Sequence, residues 1–182
     1  MIDPTEELKT RAEILQKRIA SGDAAARARL RALPELHRKD DAAVEAFAGS
    51  LQRKHCLAVV AREIGFANWE HAGRVLRGDV SERDFGTMLY DEKTGATLNA
   101  WYVDYEVARE HLLAARGRGE EVFLLAFKKQ FFVAERGFIE GIGLDPADAD
   151  WRAIGHDWAR PKDVAARARL YAKRLDALRS RA

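Results

Sequence analysis

The stretch LQRKHCLAVVAREIGFANWEHAGRVL, from Leu51 to Leu76, predicts two short helices joined by a tight turn. Apolar residues recur at three- and four-residue spacing through its first half, which gives that helix one apolar face. Gly65 follows the last of these residues, where a left-handed helix end favours glycine. Asn68 then occupies a suitable N-cap position, and a second apolar series follows Trp69. We therefore expect a compact helix-turn-helix-shaped packing unit.

The composition is that of an ordinary globular protein. The chain has 182 residues, of which 47% are hydrophobic and 33% charged, well outside the disordered range. Its longest apolar runs fall far short of the ~20 residues that a membrane span needs. The acidic first residues lack the apolar core of a signal peptide, and Cys56 has no second cysteine to pair with. We expect a cytoplasmic protein that does not bind membranes.

The first part of the chain reads as helical throughout. A helix is expected from Glu6 to Ala20, with a narrow apolar stripe on one side. Breaks at Gly22, Pro34 and Gly49 divide the remainder into three or four further helices. We expect residues 1–78 to form one all-helical unit. The stripe of the first helix is Leu8, Ala12, Leu15 and Ile19.

The period of the apolar pattern changes after Gly78, which predicts an α+β domain over residues 83–182 in the order ββαββα plus a C-terminal helix. We expect a four-stranded, mostly antiparallel sheet, because short β-prone runs are separated by turn residues and helices. The run from Val122 to Phe127 is continuously apolar and is predicted to be a central strand. Helices 104–116 and 161–179 are expected to cover one face. The expected strands are Thr87–Tyr90, Ala96–Val103 after a hairpin turn at residues 91–95, Val122–Phe127 and Gln130–Ala134.

No catalytic or metal-binding motif is evident in the sequence. Cys56 lies on an apolar helix face, where a buried structural thiol is expected. The five histidines lack metal-ligand spacing and are expected at the surface. The acidic loop after Leu144 has neither the glycine nor the glutamate of a calcium loop. No glycine-rich segment joins a strand to a helix as a phosphate loop does. We therefore assign no catalytic residue, no metal ligand and no cofactor.

A set of aromatic and polar residues is the best candidate for a ligand pocket. It would join the second predicted strand to the segment before the last helix, and it mixes rings with hydrogen-bonding groups as ligand sites do. Packing in the core would account for the same rings, so both interpretations stay open. If the pocket were catalytic, His156 would be the acid or base. The candidate residues are Asn99, Trp101, Tyr105, His156, Asp157, Trp158 and Arg160.

The sequence Ala61-Arg62-Glu63, followed by Gly65-Phe66 and Asn68-Trp69, resembles a short motif, ARExGFxxW, of uncharacterised bacterial proteins. Some of those proteins carry ankyrin repeats or glyoxalase-like domains. The resemblance covers only the two central helices and implies a packing unit without implying an activity. Its structural residues would be Ala61, Gly65, Phe66, Asn68 and Trp69.

Three functions are compatible with these features. The leading hypothesis is a non-catalytic interaction or regulatory protein of the bacterial cytoplasm, because the apolar stripe of the first helix must be buried on its own chain or on a partner. The partner would be another protein, and self-association stays open. The first alternative is a small-molecule-binding protein or enzyme with a site near Trp101 and His156. The second is a DNA-binding helix-turn-helix regulator, although Glu70 would face the phosphates and the net charge is only +2.

Overall fold

A computed structural model of the protein describes residues 3–79, 81–90 and 99–179. It is an α+β structure in which helices form both ends of the described chain. The second half of the helix expected before Pro34 is a 3-10 turn, Arg29–Ala32, and a second 3-10 turn, Pro34–Leu36, follows it. The helices are α1 (Pro4–Ala20), α2 (Ala24–Ala28), α3 (Asp41–Ala48), α4 (Arg53–Glu63), α5 (Trp69–Arg77), α6 (Tyr105–Gly117), α7 (Arg136–Gly141), α8 (Ala149–Ala153) and α9 (Val164–Arg179); the strands are β1 (Ala100–Tyr102), β2 (Val122–Phe127) and β3 (Gln130–Glu135).

Helix α1 buries its apolar stripe within its own chain. Asp3 caps the helix by accepting a hydrogen bond from the amide of Thr5, and Pro4 occupies the first turn, where no amide donor is needed. Leu8, Ala12 and Leu15 are completely buried. Helices α4 and α9 pack against α1 and belong to the same core. The stripe is thus already covered by neighbouring helices.

Helices α4 and α5 are joined by the tight turn that the sequence predicts. Gly65 has a φ of +99°, and the amide of Phe66 returns to the carbonyl of Ala61 at 2.9 Å, which closes the end of α4. Asn68 caps α5 by accepting a hydrogen bond from the amide of His71. Phe66 is 2% exposed, whereas Trp69 is only half-buried at the edge of the core.

The described residues form one three-stranded antiparallel sheet in the order β1-β3-β2, which differs from the four strands expected. Residues Thr87–Tyr90, expected as a strand, form a turn closed by a hydrogen bond from the amide of Tyr90 to the carbonyl of Thr87. The expected hairpin turn at 91–95 and the beginning of the strand Ala96–Val103 lie outside the described residues. Within the described part of that strand, β1 covers Ala100–Tyr102.

Strand β2 lies at an edge of the sheet, which corrects its expected central position. Its outer edge is covered by an extended segment in which Leu124 accepts a hydrogen bond from Trp158 and donates one to the carbonyl of His156, each at 2.9 Å. Asp157 pairs with Leu124 in parallel between these two bonds. The apolar run therefore reflects burial of both faces and protection of the edge.

The two faces of the sheet pack against different helices. Helix α6 lies on one face, against Leu124, Ala126 and Val133. The opposite face, which includes Phe132, belongs to the large core shared with α1, α4, α7 and α9. The expectation that helices 104–116 and 161–179 cover the same face is therefore wrong, because alternate residues of a strand point to opposite sides.

Helix α9 differs from its expected start and orientation. It begins at Val164 and not at Pro161, with the carboxylate of Asp163 capping the amide of Ala166. The apolar spacing of this helix predicts a buried seam of Val164, Ala168, Tyr171, Leu175 and Leu178. Val164 is instead 49% exposed, whereas the arginines Arg167 and Arg174 are 4% and 1% exposed. The helix is therefore rotated so that two cations enter the interior.

Residues 81–90, which we call the crossing segment, connect the helical part to the sheet. The amide of Thr87 donates a hydrogen bond to the carbonyl of Gly65 at 2.9 Å. The amide of Lys128, in the turn between β2 and β3, donates one to the carbonyl of Gly86 at 2.7 Å. Arg174 donates from Nε to the carbonyl of Met88 at 3.0 Å. The main core extends from α1 to α9 across this segment. The domain boundary near residue 78 stays a prediction.

Candidate functional site

A cleft of about 300 Å³ lies where the helical part, the crossing segment and the sheet meet. The end of α5 and the start of α9 form one side, and the start of α6 with β3 forms the other. A cleft of this size is at the lower end of the range of small-molecule sites. Its lining residues are Val75, Gly78, Asp79, Glu82, Arg83, Phe85, Tyr105, Phe131, Ala159, Arg160, Pro161, Val164 and Arg167.

Three aromatic rings form a connected apolar wall of the cleft. Phe131, on β3, contacts Tyr105 edge-to-face at a centroid distance of 5.5 Å and contacts Phe85 of the crossing segment at 6.0 Å. The aliphatic residues Val75 and Val164 complete the lining from the two helices. Such a wall can bury an apolar ligand surface without rearranging the fold.

Arg167 lies at the bottom of the cleft, in the first turn of α9. Its Nη1 donates a hydrogen bond to the carbonyl of Trp158 at 3.0 Å, and its guanidinium lies 5.8 Å from the ring centroid of Tyr171. Its Nη2 lies beside Gly78, so close that a Cβ at that glycine would come within 2.6 Å of it. Among the described residues, no carboxylate forms an ion pair with it.

Arg160, Tyr105 and Asp157 form a stack beside the cleft. The guanidinium carbon of Arg160 lies 3.8 Å from the Tyr105 ring centroid, and Arg160 also pairs with the exposed Glu106 at 2.7 Å. The Tyr105 hydroxyl donates to Asp157 Oδ2 at 2.5 Å, and the Arg160 amide donates to Oδ1 at 3.0 Å. This arrangement holds the Tyr105 ring in the wall while its hydroxyl is engaged elsewhere.

Burial controls the ionisation of this stack. It raises the pKa of the Asp157 carboxyl, and the hydrogen bonds from the Arg160 amide and the Tyr105 hydroxyl oppose that shift. Burial, together with the hydrogen bond to Asp157, raises the pKa of the Tyr105 hydroxyl. Tyr105 therefore keeps its proton at neutral pH and is suited to packing against a ligand, not to acting as a base.

Glu82 and Asp79 are acidic lining residues of the cleft, and both carboxylate oxygens of Glu82 accept hydrogen bonds. Oε1 accepts from the amides of Arg83 and Asp84, and Oε2 accepts from Arg74 Nε at 2.8 Å. The Asp84 amide and, after it, the Arg74 guanidinium lower the pKa of Glu82 to about 2. This carboxylate stays ionised, and its role is to hold the crossing segment on α5.

The structure brings together three of the residues proposed for a pocket: Tyr105, Asp157 and Arg160. Trp101 is 41% exposed and stacks on Phe132 at 4.6 Å, so it lies on the other face of the sheet from Tyr105. Asn99 precedes β1 and borders the undescribed residues. Trp158 is completely buried between Trp151 and Tyr171, as the core-packing alternative has it.

His156 occupies the chain turn that leads into the edge-covering segment. Its φ is +58°, a left-handed conformation that is uncommon for residues other than glycine and asparagine. The ring lies 5.5 Å from that of Phe123 and is not among the cleft-lining residues. Burial, and then the nearby charges of Arg116 and Arg152, lower the pKa of His156 to about 4.

Replacing His156 with asparagine is expected to flatten the pH dependence of stability between about pH 4 and 6.5. In this window the unfolded histidine binds a proton that the folded one does not, so the wild type loses stability as the pH falls. The partly exposed ring limits the loss to about 1–2 kcal/mol. Asparagine tolerates the left-handed conformation. Urea unfolding at several pH values measures the effect, and equal slopes for both proteins would contradict it.

His71 corrects the expectation that the histidines lie at the surface, since it is 5% exposed. Its Nδ1 accepts a hydrogen bond from the amide of Ala67, so Nε2 carries the proton and donates to the carbonyl of Asp84 at 2.6 Å. Arg74, also on α5, is paired with Glu70 and Glu82. Side chains that a DNA-reading helix would need are thus engaged in holding the crossing segment.

Two further findings concern the described residues as a whole. Within them, no group of three or more histidine, cysteine or acidic residues is placed to hold a metal ion. None of their helices combines the length and the apolar character needed to cross a bilayer.

Cys56 is completely buried, and burial raises the pKa of its thiol, which makes it unreactive.

Comparison of the chain with protein families, with curated proteins and with solved structures gives no match. The site is therefore interpreted from its own geometry.

Sequence analysis missed most of the cleft, including Arg167, Phe85, Phe131 and Val75. Arg167 does not belong to the apolar pattern of the last helix, and a charged side chain normally faces solvent. One signal was present: Arg167 and Arg174 are seven residues apart, as two positions on one side of a helix are. The other lining residues come from separate elements and share no sequence pattern.

Proposed function

We propose that the protein binds a small organic molecule in the cleft between α5, α9 and the sheet, without transforming it. The observation that carries this proposal is the cleft of about 300 Å³, which combines an aromatic wall with the buried guanidinium of Arg167. A mostly apolar concave site with few placed polar groups is the usual form of a small-molecule site.

Binding is proposed in preference to catalysis because Tyr105 and Glu82, the cleft side chains considered as an acid or a base, already have partners. The Tyr105 hydroxyl donates a hydrogen bond to Asp157, and Glu82 accepts three hydrogen bonds. A general acid or base must reach the substrate with a proton to give or a lone pair to accept one. Neither of these side chains is free to do so.

The hypothesis of a protein partner was based on the apolar stripe of α1, and that stripe is covered within the chain. The stripe of α1 is buried by α4 and α9, and Arg11 on the same helix donates to the carbonyl of Leu175 at 3.0 Å. Because this stripe is already covered, it offers no apolar surface to a partner.

Filling the cleft is expected to abolish ligand binding. In a thermal-shift screen of small organic compounds, a compound at ~100 times its dissociation constant adds about 2.7 kcal/mol to the stability of the wild type. For a chain of this size that corresponds to roughly 5–10 °C in melting temperature. Val164→Trp introduces a large ring at the mouth of the cleft and should remove the shift.

Val107→Trp is the matched control. Val107 is 50% exposed on α6 and lies outside the cleft, whereas Val164 is 49% exposed and lines it. Both substitutions add the same ring at half-exposed helical positions, so they should have similar effects on unliganded stability. If compounds protect both variants and the wild type equally, the cleft is not the binding site.

A further inference from the structure

The ion pair between Arg29 and Glu63 shows the geometry in which an arginine side chain binds a carboxylate at two points. Its Nε and Nη2 donate to the two carboxylate oxygens of Glu63 at 2.8 and 2.7 Å. These two groups lie on one edge of the planar guanidinium and match the spacing of carboxylate oxygens, so both hydrogen bonds form at once.

In Arg167 the corresponding edge of the guanidinium, formed by Nε and Nη2, has no partner among the described residues. Nη1 is engaged by the Trp158 carbonyl, whereas Nε and Nη2 donate to no described acceptor. The residue is 4% exposed and lines the cleft. Buried arginine is normally paired, because an isolated charge away from water is costly. The negative end of α5, beside Gly78, partly compensates the charge.

The surrounding ion pairs indicate an anion with a single charge. Glu82 is paired with Arg74, and Arg160 is paired with Glu106, each at 2.7 to 2.8 Å. Arg74 also pairs with Glu70, and the lining residues Asp79 and Arg83 carry one charge of each sign. Arg167 is thus the buried cation of the cleft lining that no carboxylate of the described residues pairs with. A carboxylate carries one charge at neutral pH, whereas a phosphate monoester carries closer to two.

The remaining lining is suited to an apolar body attached to that group. Tyr105, Phe131 and Phe85 form the aromatic wall, and Val75 lies on α5 near Gly78. A small compound with one aromatic ring or a short alkyl chain suits the volume of about 300 Å³.

We propose that the cleft binds a small organic monocarboxylate, held by Nε and Nη2 of Arg167, with its apolar body against the aromatic wall. This inference rests on the proposed function and specifies the chemical class of the ligand. Arg167 selects the carboxylate, and the wall limits the size and shape of the body.

Calorimetric titration of the full chain with benzoate, hexanoate and benzamide tests the carboxylate preference. Benzoate and hexanoate are expected to bind, and benzamide roughly 10- to 100-fold more weakly, because it cannot form the charged two-point contact. Phenyl phosphate is expected to bind more weakly than benzoate. Absence of heat from both carboxylates at about 10 mM would overturn the proposal, since such a site should reach millimolar affinity.

Variants of Arg167 test the contact itself. Arg167→Lys keeps the charge but loses the paired donors and should weaken benzoate binding about 10-fold, and Arg167→Met should weaken it further. Arg29→Lys alters the same kind of donor pair away from the cleft and should leave benzoate binding unchanged. If the Arg167 variants do not fold, the Nε–H resonance of Arg167 in the wild type should still shift on addition of benzoate.

The outcomes separate the two proposals. If benzamide binds as tightly as benzoate and Val164→Trp blocks both, the cleft is a ligand site but the carboxylate inference is wrong. If benzoate binds equally well to Val164→Trp and the wild type, the carboxylate lies elsewhere and both proposals fail. Tighter binding of phenyl phosphate than of benzoate would replace the monocarboxylate with a phosphate ester.

Discussion

Replacing Gly65 with alanine is expected to destabilise the protein by roughly 2–5 kcal/mol, measured as the free energy of unfolding in urea. The φ of +99° alone disfavours a side chain by about 1–2 kcal/mol. A Cβ at this position would also lie 2.3 Å from Oγ1 of Thr87 and 2.9 Å from the amide nitrogen of Met88. The crossing segment would have to move away from the turn between α4 and α5, with further loss from disturbed packing.

Gly119→Ala provides the matched control for that experiment. Gly119 has a φ of +88°, but no atom lies within 4 Å of the Cβ that alanine would add. Its cost should be limited to the backbone term of about 1–2 kcal/mol. The difference between the two variants therefore measures the contact with the crossing segment. Equal losses would mean that this segment does not lie against Gly65.

Replacing Arg174 with methionine is expected to cost about 3–5 kcal/mol. Arg174 is 1% exposed, and it donates from Nε to the carbonyl of Met88 and from Nη1 to that of Ile142. Methionine fills much of the volume but leaves buried carbonyls without donors, and each lost charged hydrogen bond contributes about 1.5–3 kcal/mol. The loss should appear as a lower urea midpoint.

Arg179→Met is the control on the same helix. Arg179 is 67% exposed and forms a long ion pair of 3.3 Å with Asp176. Exposed pairs of this kind contribute about 0–1 kcal/mol, so this variant should unfold near the wild-type midpoint. A similar small change for Arg174→Met would show that Met88 and Ile142 do not depend on this arginine.

Local signals in the sequence were sufficient for the two central helices. Gly65 ends α4 and Asn68 begins α5, each as expected. These predictions succeeded because capping and left-handed helix ends depend on a few neighbouring residues. The apolar stripe of α1 was also recognised, but its covering elements could not be, since they come from distant parts of the chain.

The sheet was harder to predict because β-prone residues do not by themselves make a strand. Residues Thr87–Tyr90 have suitable side chains, but their backbone is drawn into contacts with Gly65 and Arg174. Tertiary contacts override such local preferences. Strand β2 was placed centrally because of its apolar run, and the segment that covers its edge has no sequence signal of its own.

The candidate pocket was only partly foreseen, for a related reason. Tyr105 and Arg160 do lie at the cleft, but Trp101 lies with the opposite face of the sheet and Trp158 with the core. Aromatic residues are required both in cores and in ligand sites, so their presence cannot distinguish the two. Arg167 is buried because the side of α9 that carries it faces the interior, and the apolar spacing of the helix does not predict that orientation.

The packing of α9 against α1 and α5 has a consequence for synthesis on the ribosome. Roughly 90 residues separate α5 from α9, and at ~5–20 residues per second several seconds pass before α9 is made. During that time the sides of α1 and α5 that pack against α9 lack this neighbour. The main core, which includes residues of α1, α5 and α9, therefore cannot be completed until the last helix has been made.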